Sequence, residues 1–141
     1  KKNMLFNPDE SVDFNGNTGP FIQYTYARIK SVLRKADEAG FGVSMRDAYN
    51  ANLLPQEKVL LKKVHDFPAI LVQSADMHSP AMIANYAFEL ASEYNRFYHD
   101  LTILKEENPA SRALRLSLSK FTAQVIANSL WLLGIEVPER M

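Results

Sequence analysis

Aromatic and basic residues are interleaved near the start of the chain, in the stretch GNTGPFIQYTYARIK. If this stretch is helical, each residue turns by about 100°, and Phe21, Tyr24, Arg28 and Lys35 then share one stripe. Single-stranded nucleic acids bind to such surfaces. Each base stacked on an aromatic ring contributes about 1–3 kcal/mol of binding free energy, and the phosphates pair with the cations. A nucleic-acid surface is therefore one interpretation of the stripe. The pattern leaves one alternative open, in which both rings pack on a neighbouring helix and the cations only solubilise the domain.

Two further tyrosines are interpreted by their position relative to apolar seams. Tyr26 falls on the opposite side of the same stretch, with the apolar residues, and is predicted to belong to the core. Tyr98 follows Phe97 and lies beside the seam of a later helix, where its phenol can reach solvent or a ligand. Near the end of the chain, Arg112 and Arg115 add positive charge, and we expect them on a solvated face.

Catalytic and metal-binding patterns are not found in the sequence. The chain has no cysteine, which excludes thiol nucleophiles, thiolate metal sites and disulfides and fits a reducing compartment. It also lacks a phosphate-binding glycine loop, a Gly-x-Ser-x-Gly elbow and a His-Glu-x-x-His pair. The three histidines lack the carboxylate spacing of a helical-bundle metal site, and the paired acids Glu106 and Glu107 should be solvent-exposed near a helix end. We therefore predict no catalytic residue and no metal site.

Composition sets the class of protein. The 141 residues, 47% of them hydrophobic, suit one domain with a proper core. Sixteen basic residues balance sixteen acidic ones, so an anionic partner must meet a local patch. No apolar run of eighteen residues and no signal-peptide core occurs, which argues against a membrane and favours the cytoplasm. The first residue is not methionine, so we expect a piece of a longer protein.

Prolines and glycines divide the chain into helices. Residues 1–19 read as an irregular lead-in, and residues 41–54 read as a connector with a short helical turn. Helices are predicted from Pro20 to Gly40, from Pro55, from Pro80 for about six turns to Leu104, and from Pro109 to Gly134, with Pro68 kinking or splitting the second near Asp66. The last helix should bury Leu114, Leu118, Phe121, Val125, Leu130 and Leu133. No segment alternates with period two, so the fold class is all-α, an antiparallel helical bundle.

Both ends of the chain resemble one known family. FNGNTGPFIQYTYARIKSVLRKA, from Phe14 to Ala36, resembles the opening of the C-terminal helical domain of arginyl-tRNA synthetases, Gly-(Asn/Asp)-Thr-(Gly/Ala)-Pro-aromatic-x-Gln-Tyr-x-x-x-Arg. RALRLSLSKFTAQVIANSLWLLGIEVPERM, from Arg112 to Met141, is similar to the family's closing signature, a helix leading to Leu-Leu-Gly and a final Glu-Arg-Met. The His-Ile-Gly-His and Lys-Met-Ser-Lys-Ser types of class I signature are missing. The resemblance thus implies a single DALR-type anticodon-binding domain over residues 1–141, without its catalytic domain.

The resemblance also implies a function. The parent enzyme would be a class I arginine–tRNA ligase, which would couple L-arginine to its tRNA with ATP and magnesium. This domain would grip the anticodon stem-loop of an arginine tRNA and work with the catalytic domain of the same polypeptide. It would be inactive alone and hold no cofactor. A helical-bundle protein-interaction module is the alternative function that stays open.

Individual roles follow from the family motif. Tyr24 and Tyr98 would stack on unpaired anticodon bases, and Arg28 would take a phosphate or a base edge. Met141, with its terminal carboxylate, would cap the recognition pocket. Phe21 stands where many relatives have tyrosine, so it keeps a ring and loses a hydroxyl.

One further position departs from the family motif. Thr25 replaces a more usual alanine. Little consequence is expected from this exchange.

Overall fold

Helices make up the regular structure of the computed structural model, which describes Gly16, residues 18–43 and residues 45–141, apart from the side chain of Met45. The five helices are α1 (Gly19–Glu38), α2 (Met45–Ala48), α3 (Pro55–Asp76), α4 (Pro80–Asp100) and α5 (Pro109–Leu132). No strand occurs in these described ranges. The predicted all-α class is confirmed, while most of the predicted lead-in at residues 1–19 lies outside the described residues.

Helix ends are set by capping side chains, which were not predicted from the sequence, and by two glycines, which were. Thr18 takes the N-cap position of α1, and its Oγ1 accepts a hydrogen bond from the backbone N–H of Phe21 at 3.3 Å. Asn108 caps α5 in the same way, accepting from two backbone N–H groups. Gly40 and Gly134 follow α1 and α5 with φ of 74°, a left-handed conformation that glycine adopts without strain.

Pro68 lies inside α3, which continues as a helix on both sides of it. α3 is therefore not split near Asp66, and the alternative, a kink at this position, stays a prediction. A proline removes one backbone hydrogen bond of the helix. The neighbouring residues Phe67 and Ile70 pack against the core and hold α3 in place across the missing bond, while Pro68 itself is exposed.

α4 ends earlier than its pattern of apolar residues predicted. It stops at Asp100, and residues 101–108 form a connection to α5 without helical structure. Leu101 and Leu104 still pack against the core from this connection, which explains why they continue the apolar pattern. At its start, Ser79 occupies the N-cap position and Pro80 the first turn, although the Ser79 side chain makes no capping bond.

Successive long helices alternate in direction along the chain. α1 and α4 are neighbours that run the same way, because Phe21 meets Phe88 and, further along both helices, Arg28 meets Asn95. The short turn after α3 and the connection after α4 each reverse the chain, so α3 and α5 run the opposite way. The bundle is therefore antiparallel in sequence order, with α1 and α4 as parallel neighbours.

α5 packs against all four other helices and is buried over much of its circumference. Residues 113–119 are all buried, including polar ones, so the helix has no single apolar seam. Phe121, predicted to lie in the core, is 45% exposed. That prediction is wrong because periodicity locates a buried face only when a helix has one. No helix in the described ranges is long and apolar enough to cross a membrane.

Candidate nucleic-acid interface

The guanidinium of Arg28 lies between two tyrosine rings from different helices. Its Cζ is 4.9 Å from the ring centre of Tyr24 on α1 and 5.4 Å from that of Tyr98 on α4. Both distances fall within the range of cation–π attraction. The tyrosines are 39% and 41% exposed, so each ring has a solvent-accessible part. The structure thus brings together three residues that the sequence predicted, and we name them the tyrosine–arginine cluster.

Two polar residues lie beneath the tyrosine–arginine cluster, between α1 and α4. Asn95 accepts a hydrogen bond from Arg28 Nη1 at its Oδ1, over 2.6 Å. Its Nδ2 donates to Thr25 Oγ1 over 2.9 Å, and the Thr25 hydroxyl donates to the carbonyl of Phe21 over 2.9 Å. Sequence reasoning missed Asn95, since a contact across 67 residues leaves no local pattern.

A cleft of about 350 Å³ opens beside the tyrosine–arginine cluster. Arg28, Ser31, Val32 and Lys35 line it from α1, and Tyr98 with residues 99–105 lines it from the end of α4 and the connection. Three of these side chains carry positive charge at neutral pH, namely Arg28, Lys35 and Lys105, and one, Asp100, is acidic. The cleft therefore combines an aromatic edge with an excess of cations, as a ligand with flat rings and phosphates requires.

Phe21, predicted on the same stripe, lies at the interface between α1 and α4. Its ring packs against Phe88 with 5.3 Å between ring centres, and it is partly buried against the core. The alternative interpretation placed both Phe21 and Tyr24 against a neighbouring helix. It holds for Phe21, whereas Tyr24 remains exposed. Tyr26 is buried on the other side of α1, as predicted.

Met141 is exposed and ends a tail that lies along α1. Gln23 Nε2 donates to the carbonyl of Glu136 over 2.8 Å, and Lys30 forms an ion pair of 2.9 Å with Glu139. Gln23 and Lys30 lie roughly 120° around α1 from Tyr24 and Arg28. The tail bonds therefore attach it to a neighbouring stripe of α1 rather than to the tyrosine–arginine cluster.

Arg115 lies in the core, not on the solvated face that we predicted. Its side chain is 6% exposed, and its Nε contacts Glu57 Oε1 at 2.7 Å while its Nη1 contacts Glu106 Oε2 at 2.5 Å. Nη1 also donates to the carbonyl of Thr102 over 2.6 Å. Two carboxylates and a carbonyl compensate the buried charge, which explains how α5 tolerates it. We name Glu57, Glu106 and Arg115 the ion triad.

Two other expectations, for Glu106 and for Arg112, are also corrected by the contacts around the connection. Glu106 is a partner of Arg115 rather than a solvated acid, and its pKa lies below the ordinary value because the Asn108 N–H and Arg115 stabilise its charge. Arg112 lies over the ring of Phe41 at 4.0 Å and donates to the backbone carbonyl of Glu106. Both arginines thus fix the connection before α5, and that connection lines the cleft.

Another aromatic ring lies on the core side of Tyr98. Tyr94 is buried behind Tyr98, with 6.3 Å between ring centres, and burial raises the pKa of its phenol. Its hydroxyl donates to Ser119 Oγ over 3.1 Å. In the described ranges, no group of three or more histidines and carboxylates is placed to hold a metal ion.

Comparison with known proteins supplies a family. The family described as DALR anticodon binding domain matches residues 22–141. Two curated relatives named arginine–tRNA ligase are similar over all 141 residues, at 53% identity in Bacteroides thetaiotaomicron and 51% in Flavobacterium psychrophilum. The chain spans 24% and 23% of these proteins, about a quarter of their length.

Solved structures agree with the sequence comparison. Arginyl-tRNA synthetase of Thermus thermophilus superimposes with a TM-score of 0.85 at 32% identity, over 100% of this chain and 24% of that one. A protein described as a putative arginyl-tRNA synthetase of Campylobacter jejuni has a TM-score of 0.76 at 25% identity, over 92% of this chain and 27% of its own. The helical arrangement described above is therefore one that arginyl-tRNA synthetases contain.

Proposed function

Because the chain belongs to the DALR anticodon-binding domain family, we propose that it binds the anticodon stem-loop of an arginine tRNA through the tyrosine–arginine cluster. The observation that supports this site is the Arg28 guanidinium between two part-exposed rings, beside a cleft with further cations. Anticodon bases are unpaired, so their faces and edges are open to such a surface. We assign no catalytic role to this chain.

Each group of the surface has a distinct part in the proposed binding. The exposed parts of Tyr24 and Tyr98 stack on splayed bases, and Arg28 donates to a phosphate or a base edge between them. Lys35 and Lys105 attract the backbone from the walls of the cleft. Phe21 packs on Phe88 and thereby holds α1 against α4. Only the outer edge of its ring would reach the RNA.

Met141 has a different place in the proposal. Met141 follows Glu139 in the tail by two residues, and from there its terminal carboxylate would border the bound loop. Gln23 and Lys30 attach this tail to α1 through Glu136 and Glu139.

The proposal extends to the longer protein. A domain that holds the anticodon sets the position of the whole tRNA, so that the acceptor end reaches a distant catalytic domain of the same polypeptide. That domain would carry out arginylation with ATP and magnesium, in the cytoplasm. The 141 residues alone should be inactive.

Titration with RNA tests the proposed function. The 141-residue chain is mixed with the anticodon stem-loop of an arginine tRNA and with a stem-loop that differs only in the central anticodon base. We expect the exchange to weaken binding about tenfold, which corresponds to ~1.4 kcal/mol. We also expect the affinity to fall as salt rises, because phosphate contacts release counterions. Equal affinity for both loops, or no binding to either, would contradict the proposal.

An exposed apolar patch favours a second candidate function. Trp131 is 76% exposed, and with Ile135 and Val137 it borders an open depression of about 610 Å³. Such a patch suits contact with another protein surface. Salt distinguishes this function from RNA binding, since the affinity of an apolar protein contact should change little with ionic strength.

A further inference from the structure

A short series of hydrogen bonds beneath Arg28 has a fixed direction. A threonine hydroxyl has one proton, and Thr25 donates it to the carbonyl of Phe21. Its oxygen can then only accept from Asn95, so the NH₂ end of that amide faces Thr25 and its carbonyl oxygen faces Arg28. A reversed amide would oppose two oxygens at Thr25 and two donors at Arg28. The buried threonine and the guanidinium, which can only donate, therefore both require this orientation of the Asn95 side chain.

The selected orientation acts on the guanidinium. A guanidinium has five N–H donors, and the bond to Asn95 occupies one of them. That bond fixes one end of the group while the rings of Tyr24 and Tyr98 restrict it from two sides. An arginine side chain held in one arrangement loses less conformational entropy when it binds a ligand.

We propose that Thr25 and Asn95 are positioning residues, which hold Arg28 between Tyr24 and Tyr98 so that its other donors are available to RNA. The inference rests on the proposed function, because it concerns the same surface. It differs from what the family resemblance suggested for Thr25, where a threonine in place of alanine was expected to have little consequence. The Thr25 hydroxyl is fully buried and makes two hydrogen bonds, one of which holds the Asn95 amide. An alanine at this position would lack both bonds.

Two substitutions remove the bonds with little change of shape. Thr25→Val deletes the hydroxyl, and Asn95→Leu deletes the acceptor for Arg28. We expect each to weaken binding of the arginine tRNA anticodon stem-loop about three- to tenfold, the range for one lost hydrogen bond. The matched control is Thr122→Val, because Thr122 is equally buried and its hydroxyl has no hydrogen-bond partner among the described residues. The control should bind with wild-type affinity.

A double-mutant cycle separates positioning from general stability. If Thr25 acts through Arg28, then Thr25→Val should weaken binding in the wild-type chain and add nothing in an Arg28→Ala background. A residue that only stabilises the bundle would lower the affinity by the same factor in both backgrounds. That second result would overturn the proposal.

The free chain offers a readout that needs no RNA. The NMR order parameter of the Arg28 side-chain Nε–H reports how tightly the guanidinium is held. We expect it to fall in Thr25→Val and Asn95→Leu and to stay unchanged in Thr122→Val. An unchanged value in the first two variants would overturn the positioning role. Absence of wild-type binding to the stem-loop would contradict the proposed function alone, since the order parameter still decides the role of Thr25.

Discussion

The two exposed tyrosines of the cluster differ in what supports them. Tyr98 has the buried ring of Tyr94 behind it, so one side of its position is set by the core. Tyr24 lies on α1 and is held by its contact with Arg28. A ring that is already in place can stack on a base without rearrangement of the protein, which favours affinity.

Removal of either ring should affect binding more than stability. We expect Tyr24→Ala and Tyr98→Ala to weaken stem-loop binding about tenfold or more, since one stacked base contributes ~1–3 kcal/mol. Thermal unfolding should shift little, because both side chains are exposed. Phe121→Ala, which removes a similarly exposed ring from α5, is the control and should leave the affinity unchanged. A large fall in melting temperature with unchanged affinity would contradict this prediction.

Single residues show what sequence patterns can and cannot predict. Helical periodicity separated Tyr24 from Tyr26 correctly, because both lie on one helix and the angle between them is fixed by geometry. Asn95 and Tyr98 approach Arg28 only through the packing of α4 on α1, across about seventy residues of chain. Spacing along the sequence does not encode that contact, so the amide partner of Arg28 was missed.

Helices differ in how far their burial follows from sequence. The starts of α1, α3, α4 and α5 were predicted closely because a proline in the first turn of a helix acts locally. α5 contacts every other helix, so buried residues surround it and its pattern of apolar positions is weak. This explains two errors on that helix, an exposed Phe121 and a buried Arg115.

The ion triad should be essential for the packing of α5 on α3. Arg115→Met leaves the Glu57 carboxylate buried without its charged partner, and we expect a loss of about 3–5 kcal/mol in unfolding free energy. Urea titration measures this loss. The control is Arg96→Met, which removes an exposed arginine paired with Glu93 and should cost ~0–1 kcal/mol. Equal stability of the two variants would show that the triad contributes no more than a surface pair.

The described cations differ in their partners, although the net charge of the chain is balanced. Several cations are paired with acids, including Lys30 with Glu139 and Lys63 with Glu89. Arg28, in contrast, contacts a neutral amide and two phenol rings. Its positive charge is therefore available to an anionic partner, which agrees with the local patch that the balanced composition required.

Acid stability of the whole fold should depend on Glu106. Its pKa is lowered from the ordinary 4.5 in the folded state, first by the Asn108 N–H and then by Arg115. The Glu106 carboxylate therefore binds a proton less readily in the folded state than in the unfolded state. Its contribution to the stability of the fold is complete above about pH 4.5 and is lost as the pH falls further. Melting temperatures between pH 3 and 7 should fall less steeply for Glu106→Gln than for the wild type.

A neighbouring carboxylate provides the control for this pH dependence. Glu107 is exposed beside the triad, and Glu107→Gln should keep the wild-type profile. A Glu106→Gln profile that parallels the wild type down to pH 3 would contradict the role of the lowered pKa.

The two rings around Arg28 come from α1 and α4, which are parallel neighbours separated by two other helices in the sequence. Unfolding separates these helices, so a ligand that needs both rings binds only the folded chain. By mass action, such a ligand adds RT ln(1 + [L]/Kd) to the unfolding free energy, about 2.7 kcal/mol at a hundred times Kd. Ligand binding at this surface and folding of the chain are thus one coupled equilibrium. A higher ligand concentration raises both the fraction of bound chains and the fraction of folded chains.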